Sequence, residues 1–222
     1  MLETVTIEPE VKVSGTVIWM HGLGADGFDF HPIVPKLERP DLRFVFPHAP
    51  LRAVSINMGV VMRAWYDVVP AKSGRQREPR DQVAASARSI RDLIRRELLR
   101  GLSAKQIVLA GFSQGAAMAL HVGTSFEEAL GGIIALSGYQ VSGELKAHQA
   151  NRATPIYMAH GDSDEVVPIE KGKKTFEKVR AGRKAVWEEY PMGHEVCLPQ
   201  IESIRNWLLD TVPSSGSAQS DA

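Results

Sequence analysis

The amino-acid sequence predicts an α/β fold with a mostly parallel central sheet and helices on both faces. Short apolar runs bounded by turn residues, helix-period segments between them, and the alternation of the two along 222 residues carry this prediction. The apolar runs are GTVIWM (15–20), LRFVFP (42–47), QIVLAG (106–111), GGIIALS (131–137), PIYMAH (155–160) and AVWEEY (185–190). Several are continuous and uncharged, as strands buried on both faces require. The clearest helix covers 80–100, where Val83, Ala87, Ile90, Ile94 and Leu98 form one apolar stripe while Arg88, Arg91, Arg95 and Glu97 are expected to face water. Gly101 is a good stop for it. Further helices are expected over 168–181 and 198–210, the latter with Leu198, Ile201, Ile204 and Leu208 on one side. Residues 106–126 carry no Asp, Glu, Lys or Arg, but Gly111 and Gly115 cut the run. It reads as a buried strand, a sharp turn and a buried helix rather than a membrane span. One domain is expected over residues 1–211, with a disordered tail over 212–222 that ends in PSSGSAQSDA.

Composition narrows the function. Twenty-six Lys and Arg balance twenty-six Asp and Glu, and no basic block stands out beyond SGRQREPR, so neither a nucleic acid nor another anionic partner is implied. The single cysteine, Cys197, excludes an internal disulfide and a CxxC motif. With an N-terminus that lacks a basic start and an apolar h-region, the expected compartment is the cytoplasm, without stable membrane insertion.

Gly22-x-Gly24-x-x-Gly27 follows a strand and matches a dinucleotide fingerprint letter for letter. That reading also needs a helix opening at the loop and an acid at the end of the next strand. Residues 28–38 hold Pro32 and Pro35, and the second strand ends in PHAP without an acid, so neither condition is met. The stronger motif is Gly111-Phe112-Ser113-Gln114-Gly115, a nucleophile elbow in its required strand-turn-helix context. The helix opening at Gln114 turns free N–H groups toward the place where acyl transfer builds negative charge. Two strands later HGDSDEVVP offers Asp162 and Asp164, and the loop after the last strand offers His194. All three loops leave the carboxyl ends of strands, where open α/β sheets bind their ligands. From the residues alone either aspartate can serve as the acid.

The segments HGLGADG, GFSQG, LSGY, HGDSDEVVP and GHEV resemble the small carboxylesterase and acyl-protein thioesterase family of α/β-hydrolases, also called the phospholipase/carboxylesterase family, over about residues 13–210. The resemblance implies an α/β-hydrolase fold and a Ser113, His194, Asp164 triad, with backbone amides of Leu23 and Gln114 as the oxyanion hole and no cofactor or metal. It implies a serine carboxylesterase acting on short- to medium-chain esters or thioesters. The alternatives are an acyl-protein thioesterase or lysophospholipase on the same triad, or a non-catalytic ligand-binding module on this fold. The partners implied are a small-molecule ester or thioester, an acylated protein or a lysolipid. The oligomeric state is open, a homodimer included.

Other residues have plainer readings. His21 and His160 are expected to pack or to support neighbours rather than bind metal, although Asp162 and Asp164 lie close in sequence. Asp162 is expected to fix its loop by accepting nearby backbone N–H groups. Cys197 is expected to be a buried structural thiol. The stretch 54–68, with Met58, Met62 and Trp65, is open between plain core and acyl-pocket lining.

Overall fold

The computed structural model describes residues 2–70, 76–141 and 147–214. Eleven strands are present among them: β1 Thr4–Ile7, β2 Gly15–Met20, β3 Leu42–Pro47, β4 Leu51–Val54, β5 Val60–Arg63, β6 Val69–Pro70, β7 Gln76–Arg77, β8 Ile107–Phe112, β9 Gly132–Leu136, β10 Ile156–Gly161 and β11 Ala185–Tyr190. The helices are a single turn, α1 (Val34–Leu37), then α2 (Arg80–Leu99), α3 (Gln114–Ser125), α4 (Ile169–Val179) and α5 (Leu198–Thr211). Seven strands make the main sheet in the order β1-β3-β2-β8-β9-β10-β11, parallel throughout except for β1, which runs antiparallel to β3 at one edge. This is the α/β-hydrolase architecture expected.

Side chains alternate across each strand and divide the core in two. Ile18, Met20, Ile107 and Leu109 point to the face covered by α2 and α3, with Ile90, Leu93 and Ile94 opposite them. Val17, Trp19, Val108 and Ala110 point to the face covered by α1 and α5, where Leu37, Ile201, Ile204 and Leu208 pack. Helix α3 is buried from Gln114 to Thr124 apart from His121, which explains a run without charge.

Four expectations need correction. Glu97 is fully buried, because Thr16 Oγ1 donates to it at 3.0 Å and Arg43 at 2.9 Å, with Arg96 and Arg100 at 3.3 Å. A carboxylate satisfied this completely can sit on the inner face of a helix. Leu198, at the first turn of α5, is 59% exposed instead of joining the stripe. The expected tail begins too early: Val212 is buried, and its carbonyl accepts from Arg39 at 2.7 Å while Ser214 Oγ donates to Asp41 at 2.9 Å. The rest of that tail, from 215, lies outside the described residues, as do residues 73–75 of the basic block. Finally, residues 51–63 form a β4–β5 hairpin with no counterpart among the expected strands.

Candidate active site

The site is assembled at the carboxyl ends of β2, β8, β10 and β11. Ser113 sits between β8 and α3 with φ 54° and ψ −117°. A non-glycine residue there stores about 1–3 kcal/mol of strain. The surroundings enforce it: Ser113 N–H donates to Leu136 O of β9 at 2.9 Å, and Ser113 O accepts from Ala117 N at 3.1 Å. The flanking glycines are required by close approach. A Cβ on Gly115 would lie 2.2 Å from the Met20 carbonyl oxygen, and one on Gly111 would lie 2.3 Å from the Gly115 carbonyl carbon. Because those neighbours are backbone, Gly115→Ala must push α3 off β2. Overpacking of this kind costs about 1–3 kcal/mol, so calorimetry is expected to show Tm falling by about 2–12 °C. An unchanged Tm would mean that the contact yields freely.

Asp164 and His194 come from adjacent loops. Parallel pairing of β10 with β11 continues past the strand ends, where Asp162 N donates to Tyr190 O at 2.9 Å and Ser163 N to Met192 O at 3.2 Å. His194 Nδ1 then lies 2.7 Å from Asp164 Oδ2. The other carboxylate oxygen, Oδ1, accepts from Val166 N at 2.9 Å and Val167 N at 2.8 Å. Burial on its own would raise the Asp164 carboxyl, but the hydrogen bonds from His194 and the two valine amides outweigh it and hold it below the usual carboxylate range. The Phe112 ring sits against the His194 imidazole, with centroids 4.7 Å apart.

These loops wall a cleft of about 270 Å³ whose lining includes Leu23, Ser113, Gln114 and His194, with buried Asp164 behind the imidazole. Leu23 lies in a turn rather than at a helix start. Gly24 at φ +80° donates to Arg63 O at 2.9 Å, and Ala25 donates back to Gly22 O at 3.4 Å. The Leu23 amide has no acceptor among the described residues, and the Gln114 amide is the first of α3, so both N–H groups are free for a ligand.

The structure revises the reading of several neighbours. Asp162 is exposed and, among the described residues, its carboxylate accepts only from Ser163 Oγ, at 2.7 Å, so pinning the loop through its amides falls to Asp164 instead. His21 is buried, which pushes its imidazole down to about 4; its Nε2 accepts from Ala49 N at 3.0 Å and its Nδ1 lies 2.6 Å from Gly22 O. His160 is also buried; its Nε2 donates to Val167 O at 2.8 Å and lies 3.3 Å from Asp164 Oδ2. Among the described residues no three His, Cys, Asp or Glu side chains gather as metal ligands. Cys197 is half-buried rather than buried, at the N-cap of α5. Of residues 54–68, Ile56 and Val68 line the cleft, whereas Met58 is 95% exposed and Trp65 is sealed beneath.

Tyr139 and Lys171, which sequence reasoning passed over, also line the cleft. The Lys171 ammonium lies 5.9 Å from the Tyr139 ring centroid, and Tyr139 Oη is 2.9 Å from Tyr66 Oη. The signal for Tyr139 was available, since LSGY follows β9 at the same end of the sheet.

Comparison with known proteins agrees with this architecture. The sequence model described as phospholipase/carboxylesterase matches residues 2–212. A Neurospora crassa protein named acyl-protein thioesterase 1 is 35% identical over 215 residues, which are 90% of this chain and 88% of that protein. The Gibberella zeae protein of the same name is 34% identical, over 90% of this chain and 92% of its own. Among solved structures, Arabidopsis thaliana SOBER1 superposes with a TM-score of 0.81 at 28% identity, covering 89% of this chain and 98% of that one. Zea mays acyl-protein thioesterase 2 gives the same TM-score at 23% identity, covering 96% and 100%, a likeness of fold.

Proposed function

Since the chain belongs to the phospholipase/carboxylesterase family and is a serine ester hydrolase, we propose that Ser113, His194 and Asp164 form its triad and that it hydrolyses short- to medium-chain carboxylic esters or thioesters. The observation that carries this reading is the 2.7 Å link from Asp164 to His194 Nδ1, which leaves Nε2 for a serine that lines the same cleft. Ser113 Oγ attacks the acyl carbonyl as His194 Nε2 takes its proton, and Asp164 holds the imidazole tautomer and steadies the imidazolium. The Leu23 and Gln114 amides receive the oxyanion. The tetrahedral adduct collapses to an acyl-Ser113 ester while His194 protonates the departing alcohol or thiol. Water, deprotonated by His194, then releases the acid and restores the serine. These steps call for no cofactor or metal.

Chain length is argued from volume. A cleft of about 270 Å³ falls just below the usual range for drug-sized ligands, about 300–1,000 Å³, and suits a short or medium acyl group better than a fully enclosed long one. A second reading, an acyl-protein thioesterase, is favoured by exposed apolar side chains in the cleft lining itself: Val166 is 67% and Ile56 38% exposed. A lysolipid would suit the same lining. The reading takes one catalytic domain that extends through Ser214 and works in the cytoplasm, supported by the lone Cys197; no helix among the described residues is long and apolar enough to cross a membrane.

A panel of p-nitrophenyl esters from acetate to palmitate, run beside S-acylated peptides and lysophosphatidylcholine, tests the substrate. kcat/KM is expected to peak at about four to eight carbons for a cleft of this size. A peak at palmitate, with faster turnover of the S-acylated peptide, would move the assignment to the protein thioesterase.

A further inference from the structure

The geometry points to the side chains of Gln114 and Trp65 as positioning residues that hold the two oxyanion-binding amides in register. The inference rests on the serine hydrolase reading and assigns Gln114 a task for its side chain, separate from that of its backbone N–H. In sequence, the two proposed amides lie far apart, on the loop after β2 and on the first turn of α3. The segment from the last residue of β5 onward, residues 63–66, touches both.

Gln114 is 2% exposed, and its amide is used at both ends. Oε1 accepts from Trp65 N at 2.7 Å, and Nε2 donates to Tyr66 O at 2.8 Å. The same segment holds the Leu23 loop on either side of Leu23. Upstream, the Trp65 indole Nε1 donates to His21 O at 2.9 Å, with its ring against the His21 imidazole. Downstream, Arg63 O accepts from Gly24 N at 2.9 Å. Because Ala49 N donates to His21 Nε2, the imidazole proton resides on Nδ1, where it serves Gly22 O and closes the turn. The brace is itself anchored: Ser86 Oγ of α2 donates to Trp65 O, and Arg63 reaches Ala49 O at 3.0 Å.

An oxyanion hole works only when its donors stand about 2.7–3.1 Å from the developing charge, and an error of about 1 Å can cost 10²-fold. Two amides on separate elements keep that spacing only if something ties the elements together. Here the tie is two hydrogen bonds from one side chain to one segment. Replacing Gln114 by Met keeps the backbone N–H and the volume but leaves Trp65 N–H and Tyr66 C=O without partners.

The test uses the full chain, with steady-state kinetics on a short activated ester and the Ki of an alkyl trifluoromethyl ketone, whose tetrahedral adduct places an oxyanion in the hole. For Gln114→Met, kcat is expected to fall about 10- to 100-fold with KM within about threefold, and Ki to rise in parallel. Trp65→Phe, which loses only the indole N–H, is expected to move kcat and Ki about three- to tenfold in the same directions. Should Gln114→Met fail to fold, Trp65→Phe, which leaves both Gln114 bonds in place, carries the test alone. A lowered Tm with kcat and Ki unchanged well below it would overturn the inference and leave Gln114 as scaffolding. Wild-type turnover that requires Ser113, combined with that result, would sink the brace alone. Turnover that survives Ser113→Ala would bring down the hydrolase reading and the brace together.

Discussion

Ser113→Ala is expected to abolish ester turnover, by a factor on the order of 10⁵ to 10⁶, and to eliminate labelling by a fluorophosphonate, while the protein stays folded. The size of the loss follows from the division of labour. Without the hydroxyl no acyl-enzyme forms, and only the oxyanion amides and binding contacts remain to assist water, which typically retains a residual 10³- to 10⁴-fold over solution. Folding is spared because Ala at φ 54° meets the same backbone strain that Ser already carries, and Leu136 O and Ala117 N bond to the Ser113 backbone, not its side chain. Mass spectrometry of the labelled wild type should find one adduct on the peptide carrying Gly111 to Gly115. Equal labelling of the Ala variant would remove Ser113 from the chemistry.

The candidate site was legible because its residues obey a local rule. Ser113 and Asp164 follow β8 and β10, apolar runs buried on both faces as central parallel strands require, and His194 follows β11, an edge strand whose Glu188 and Glu189 leave it only half-buried. Once the strands are set, their carboxyl ends are set too, and the loops there share one rim. The misses have the opposite character: each depends on a partner distant in sequence. Glu97 belongs on the polar face of α2 by period, but Thr16 and Arg43 from two neighbouring strands draw it inward. Asp162 and Asp164 differ by two positions, and only the fold shows which carboxylate meets His194 from the neighbouring loop. The β4–β5 hairpin was hidden for a related reason. Leu51, Val60 and Val61 are apolar yet more than half exposed, so no alternation of inside and outside marks them as strands. The residues at its far end, Arg63 and Trp65, nevertheless bond the loop on either side of Leu23, contacts for which no short motif exists.

The two aspartates separate most sharply by mutation. Asp164→Asn is expected to lower kcat by about 10³ to 10⁴, because an amide at this position cannot turn to suit the imidazole. Its oxygen must stay toward the Val166 and Val167 N–H groups, which a side-chain NH₂ would oppose. The NH₂ therefore faces His194 Nδ1 as a donor, driving the imidazole proton to Nε2, where it can no longer accept from Ser113. The NH₂ also meets the His160 Nε2–H, which lies 3.3 Å from that carboxylate oxygen and is already committed to Val167 O. Stability should carry the matching signature. The Asp164 carboxyl is lowered in the folded state, so its contribution is present above the unfolded value of about 3.9 and is lost as pH falls through the lower native one. The Tm gap between wild type and Asp164→Asn is accordingly expected to be open at pH 7 and to close below about pH 4. Asp162→Asn, at an exposed carboxylate that accepts from the adjacent Ser163 Oγ, is expected to leave kcat within about threefold and Tm within about 1 °C. The reverse ranking, with native circular dichroism in both variants, would make Asp162 the acid and leave the 2.7 Å contact of Asp164 with His194 as scaffolding.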